Sequence, residues 1–251
     1  MEKRALSLDA PAGATPNKHT KLPRRRSQYF FVVMACLFPV VAFLGFLRSY
    51  QEAYSGVFPI HWFAHVHGAI MTAWLGVFLA QTILVSRGNV RLHRQLGQFS
   101  VGLGVLVWIS MIVGSIRSLI SHNLPIDSFM FDVLLAECQG VLLFGVFFTW
   151  GMLVRKNVAV HKRLLFLATL ILLQAAIDRM HWLPGINSAI YVRYIYMDTL
   201  FISLFIYDLF TNRCIHPITW VGASIMLVSQ VVVNLTWGLP AWHTFWFDLI
   251  N

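Results

Sequence analysis

The sequence Lys21-Leu-Pro-Arg-Arg-Arg-Ser-Gln-Tyr29-Phe-Phe-Val-Val-Met-Ala-Cys-Leu-Phe-Pro-Val-Val-Ala-Phe-Leu-Gly-Phe-Leu47 sets a basic cluster directly before 19 residues without a charge. A basic lead and an apolar run also describe a signal peptide, whose apolar region is shorter and ends at an A-x-A-like cleavage site. No such site follows here. Nineteen residues nearly match the roughly 20 that an α-helix needs to cross hydrocarbon. The run is therefore predicted to remain as a membrane-spanning helix.

Six further runs of the same kind follow, over residues 63–85, 96–120, 129–154, 164–180, 194–210 and 218–239. The connections between the runs, 51–59, 87–95, 121–127, 155–163, 181–193 and 211–217, each hold a breaker or a polar cluster. They are too short for a soluble domain. With 58% hydrophobic and 12% charged residues and a mean hydropathy of +0.68, one water-facing surface cannot cover the chain. The expected fold is all-α and polytopic: a seven-helix transmembrane domain over 28–251, after a basic tail over 1–27. The tail holds Pro11, Pro16 and Pro23 among polar and small residues and is expected to be disordered.

A net charge of +9 and a pI near 9.9 would suit a nucleic-acid partner if the basic residues formed one patch. They stand instead at the ends of apolar runs. Alternating the connections between two sides puts the tail, Arg87, Arg91, Arg94, Arg155, Lys156, Lys162, Arg163 and Arg213 together. Only Arg48, Arg117, Arg179 and Arg193 remain for the other side. The positive-inside rule makes the rich side cytoplasmic, so the amino terminus is expected inside and the carboxy terminus outside an inner (plasma) membrane. Trp62, Trp182, Trp237, Trp242 and Trp246 then gather near the outer interface and Trp150 and Trp220 near the inner one. The expected partner of the basic excess is anionic lipid at the cytoplasmic face, not nucleic acid. Cys36, Cys138 and Cys214 are scattered without a CxxC spacing, which excludes a disulfide framework.

Two polar layers interrupt the apolar runs. In the outer one, Ile60-His-Trp-Phe-Ala-His-Val-His-Gly68 places His61 and His65 on one helical face, with His67 about 200° round from His65. Asp178 and His181 share a face of the fifth run, with Gln174 one turn deeper; Asp198 lies near the outer end of the sixth. Glu137 stands about 13 Å inside the fourth helix, where an unpaired carboxylate costs at least a few kcal/mol. Two readings stand for it: a structural pair with Arg179 or a histidine, or a functional acid. Glu137 and Asp178 are thus candidate catalytic groups, and His65, His181, Glu137 and Asp178 a candidate set for a transition metal. His65 and His67 also suit haem or metal ligation, since neutral imidazole is the commonest ligand, although histidine at a lipid–water boundary needs no such role.

The inner layer is Arg91-Leu-His-Arg-Gln-Leu-Gly97 before the third helix and His161-Lys-Arg-Leu-Leu165 before the fifth. His93 and His161 stand at similar depth, suited to ligate one haem iron from two helices, with Arg94 and Arg163 left for the propionates. The plainer alternative is that these His-Arg pairs meet lipid phosphates or cap turns.

The elements His65-Val-His67-Gly68…Trp74…Gln81, His93-Arg94-Gln-Leu-Gly97 and His161-Lys-Arg-Leu-Leu-Phe-Leu-Ala-Thr169…Arg179 resemble those of a group of uncharacterised bacterial multi-helix membrane proteins. More loosely, an apolar helix with His and Gly followed by His-Arg-x-Leu-Gly is similar to the cytochrome b561 family, whose transmembrane histidines bind two b haems. That resemblance implies haem b as cofactor and His65, His67, His93, His161 and His181 as ligand candidates. The family keeps its ligands on four consecutive helices, whereas run 129–154 has no histidine. The fifth helix would then serve both levels through His161 and His181, roughly 30 Å apart.

There is no Gly-rich phosphate loop, G-x-S-x-G, H-E-x-x-H or arginine ladder. The leading expectation is haem or metal binding with a redox, electron-transfer role across the membrane, served by an unidentified redox partner. A membrane metalloenzyme at the outer layer and a proton-coupled transporter using Glu137 and Asp178 are the alternatives.

Overall fold

A computed structural model describes residues 26–56, 61–120 and 128–250. Most of the expected tail and the connection 121–127 lie outside the described residues. The described chain is all-helical, and seven helices are long and apolar enough to cross a membrane.

The elements are α1 (Arg26–Tyr54), α2 (Trp62–Ser86), α3 (Val90–Ile120), α4 (Ser128–Leu153), α5 (Val158–Ile171), α6 (Gln174–Ile177), α7 (Ile190–Asn212), α8 (Pro217–Thr236) and α9 (Pro240–Ile250). Short polar side chains start several of them. Asn89 Oδ1 accepts from the N–H of Leu92 at 3.1 Å, and Asn157 Oδ1 from that of Val160 at 3.3 Å. Pro217 occupies the first turn of α8, where its missing N–H costs nothing. Gly88 and Gly238, at φ +77° and +73°, turn the chain after α2 and α8.

Two helix starts lie well before the expectation. The third helix begins at Val90, not 96, and the fifth at Val158, not 164, so both His-Arg motifs lie inside helices. An apolar run marks where hydrocarbon is, whereas the helix continues as long as its backbone bonds do. The fifth span, Val158–Ile177, is α5 and α6 in series, with an irregular step at Leu172 and Leu173. The unforeseen α9 is held to α4: Trp242 Nε1 donates to the carbonyl of Phe131 at 3.1 Å, and Asp132 Oδ1 meets Gly238 N–H and His243 Nε2, each at 3.0 Å.

The α4 and α5–α6 spans form the centre, with 61% and 67% of their apolar windows buried against 17% for α2. Phe38, Phe144, Phe147, Leu164, Phe166, Leu167 and Leu170 are fully enclosed there. Large apolar side chains such as Phe43, Leu142 and Leu235 face outward, as lipid contact requires. Helices α2, α3, α4 and α5 pack in sequence, and Trp74 Nε1 donates to Thr169 Oγ1 at 3.2 Å, joining α2 directly to α5. The inner layer therefore lies within this four-helix group, whereas the outer one extends past it to Asp178 and His181 after α6 and to Asp198 on α7.

Candidate functional site

At the basic end, His161 lies in the first turn of α5 because Asn157 starts that helix. Its Nδ1 is 2.8 Å from the carbonyl oxygen of Gly151 on α4. A carbonyl only accepts, so Nδ1 carries the proton and Nε2 keeps its lone pair. His93, on α3, lies near Gln81 on α2 and close enough to His161 for their charges to interact. His93 Nδ1 is buried and has no partner among the described residues, and the same holds for Gln81 Oε1, whose amide nitrogen donates to Ser100 Oγ at 3.1 Å. Four helices thus bring two imidazoles near one another, that of His161 held by a backbone carbonyl of α4.

Arg163 does not take the propionate role expected of it. It is 1% exposed; its Nε and Nη2 donate to Asp208 on α7, and its Nη1 to the carbonyl of Ala159 at 2.7 Å. Asp208 also accepts from Thr219 Oγ1 at 2.5 Å and His216 N–H at 3.0 Å. This network staples α5, α7 and α8, and of the two arginines expected to serve propionates it is Arg94, exposed in α3, whose charge reaches His93.

At the opposite end, His67 Nδ1 is 3.2 Å from Ser110 Oγ. That hydroxyl donates to the carbonyl of Val107, so His67 Nδ1 is the donor and its Nε2 is open. His181 Nδ1 meets Asn187 Oδ1 at 2.9 Å. His65 stands apart, exposed at the α1–α2 edge, where a cavity of about 510 Å³ is lined by Tyr50, Tyr54 and Leu47. Glu137 packs toward Ser115 on α3, its Oε2 buried without a partner among the described residues, and the charge that reaches it is that of Arg179. Arg179 also acts on Asp178 and His67. Asp178 lies 4.0 Å from Arg193 Nε, and burial pushes its carboxyl up to about 6 against the pull of Arg193, Arg179 and His181.

The expected outer layer is therefore brought together in part, around Arg179, with His65 at its edge. Among the described residues, no three of His, Cys, Asp and Glu converge in a group able to hold a metal ion. The structure does not assemble His65, His181, Glu137 and Asp178 into such a group, because these residues diverge toward α1, Asn187, Ser115 and Arg193. Reading by hydropathy missed a buried relay in which Tyr194 OH donates to Gln139 Oε1 at 2.8 Å and Gln139 Nε2 to Ser229 Oγ at 2.8 Å. The available signal was a glutamine inside an apolar run, only two residues from Glu137.

No family model, curated protein or solved structure matches the chain. The likeness to b561-type cytochromes thus rests on its motifs alone.

Proposed function

We propose that this chain is a multi-pass protein of the inner or plasma membrane that binds b-type haem through His93 and His161 and takes part in electron transfer. One observation carries the reading: the imidazoles of His93 on α3 and His161 on α5 lie near enough for their charges to interact, with Nε2 of His161 and, among the described residues, Nδ1 of His93 left open. A haem iron draws four ligands from its macrocycle and needs only two from protein, so a histidine pair fits it where a bare metal needs more. When bound, haem supplies reversible one-electron chemistry. The chain's own part is to orient. The Gly151 carbonyl fixes the His161 ring, Arg94 offers a cation for acidic ring substituents, and Trp74, Phe144 and Phe148 keep water from the middle of the group. The positive-inside rule supports placing this end in the cytoplasm, beside anionic lipid and a redox partner protein.

The test is an absorbance spectrum with elemental analysis of detergent-purified protein. A b-type Soret band is expected, lost alike in His93→Ala and His161→Ala. Loss in one variant with full haem in the other overturns the shared site. A second reading, a proton-coupled transporter, is favoured by the partnerless buried oxygens of Glu137 and Asp178. Protein with neither haem nor metal supports it, and bound zinc, copper or iron without haem supports a metalloenzyme.

A further inference from the structure

Topology explains why Lys and Arg crowd one end of this bundle, but not why Arg48, Arg117, Arg179 and Arg193 stand at the other. Two of these four have evident structural roles. Arg117 meets His61 Nε2 at 2.9 Å and lies over the rings of Trp62 and Phe63. Arg193 lies between the Ile186 carbonyl and Asp178. Arg48 and Arg179 instead line one cavity of about 280 Å³, together with Ser49, Glu52 and His181.

Their placement follows from one close approach. Gly45 of α1 lies against the backbone of Ala176 in α6, so near that a Cβ would fall 2.6 Å from its carbonyl carbon. Arg48 and Arg179 are each three residues beyond that contact, one turn further along neighbouring segments. Arg179 is held by Nη1 donating to the Ala175 carbonyl at 2.7 Å and by the ring of Phe46, 4.8 Å from its Cζ. Arg48 spends only Nε on Glu52, in a pair whose side chains are 69% and 37% exposed and so weakly coupled. Among the described residues the other N–H groups of both guanidiniums make no hydrogen bond. Asp178 and Glu137 act on Arg179 through their charge without bonding to it.

We propose that this cavity binds a small oxyanion, a carboxylate or phosphate group, gripped between the guanidinium forks of Arg48 and Arg179. Planar forks with free parallel N–H groups match such oxygens in pairs. The volume holds roughly nine waters, enough for an oxyanion with a partial hydration shell. The Glu52 carboxylate in the same lining pairs with Arg48 through Nε alone, so an entering oxyanion meets the remaining N–H groups of Arg48 and those of Arg179. The site is independent of the haem reading and stands or falls without it.

The test uses full-length protein in detergent, stripped of lipid, with melting followed in inorganic phosphate and in acetate at constant ionic strength. Both anions are expected to raise the melting temperature. Arg48→Gln and Arg179→Gln should each weaken the apparent affinity about tenfold, and Arg117→Gln should leave it unchanged. Mass spectrometry of unstripped protein separates the sources: phospholipid retained by wild type and lost in Arg179→Gln identifies a lipid headgroup, and its absence a free solute. Arg179→Lys keeps the charge without the fork; it is expected to melt with wild type in chloride and to bind phosphate more weakly. Wild-type affinity in that variant, or equal anion binding and lipid retention in wild type and Arg179→Gln, overturns the proposal.

Discussion

Asp178 and Asp208 show how differently one residue type is treated in this bundle. Asp208 is wholly buried yet receives Arg163, Thr219 and a backbone N–H, so its charge is met on every side. Asp178 lies one residue beyond the fifth span, with Oδ1 lacking a hydrogen bond and its carboxyl pushed up to about 6 by burial. An unfolded aspartate titrates near 3.9, so between about pH 4 and pH 6 the folded protein holds more protons than the unfolded chain. Stability from this group is therefore present at low pH and lost as pH rises through 6. Asp178→Asn should be more stable than wild type at pH 7.5, on the order of 2 kcal/mol, with the difference closing near pH 4. Melting curves in detergent at the two pH values check this; a variant less stable at pH 7.5 would mean that the pairing with Arg193 dominates. A carboxylate kept at such cost marks a working group more often than a structural one. Which residues were chemically unusual was visible in the sequence for Glu137, Asp178, His93 and His161. Some partners were visible as well, Arg179 for Glu137 and His161 for His93, but that of Arg163 was not: Asp208 lies 45 positions later in the chain.

At the level of elements, α1 and α6 meet backbone to backbone because Gly45 has no side chain. A Cβ at that position would lie 2.6 and 2.7 Å from the carbonyl carbon and Cα of Ala176, and backbone cannot swing aside. Gly45→Ala is expected to destabilise by about 1–3 kcal/mol, the usual cost of overpacking, despite alanine's better helix propensity. Gly76→Ala and Gly102→Ala, where nothing lies within 4 Å of the added atom, serve as controls and should be neutral or slightly stabilising. Similar melting temperatures for all three would show that α1 does not approach α6 as described. Hydropathy found the spans but misplaced the starts of α3 and α5, since it reports solvent preference rather than backbone hydrogen bonding. It passed over α9 because an 11-residue helix gives no spanning signal.

For the whole molecule, the count of crossings sets the topology. Helix α9 is about 16 Å long, near half the hydrocarbon thickness, so it adds no crossing after α8. Seven crossings would put the termini on opposite sides. A reporter fused after Asn251 is expected to read extracytoplasmic and one placed within 155–163 cytoplasmic; cytoplasmic activity at both would remove the seven-span arrangement. The sequence alone determined that the chain is helical, that seven of its helices are long and apolar enough to cross a membrane, and which residues are too polar for their depth. These follow from local transfer energies, to which each residue contributes independently. Only the tertiary structure decided that Arg163 is consumed by Asp208, that His65 stands apart from the other outer groups, and that Arg48 and Arg179 line one cavity. Such pairings depend on how helices far apart in the chain rotate and pack against one another, and a one-dimensional pattern of polarity carries no record of that.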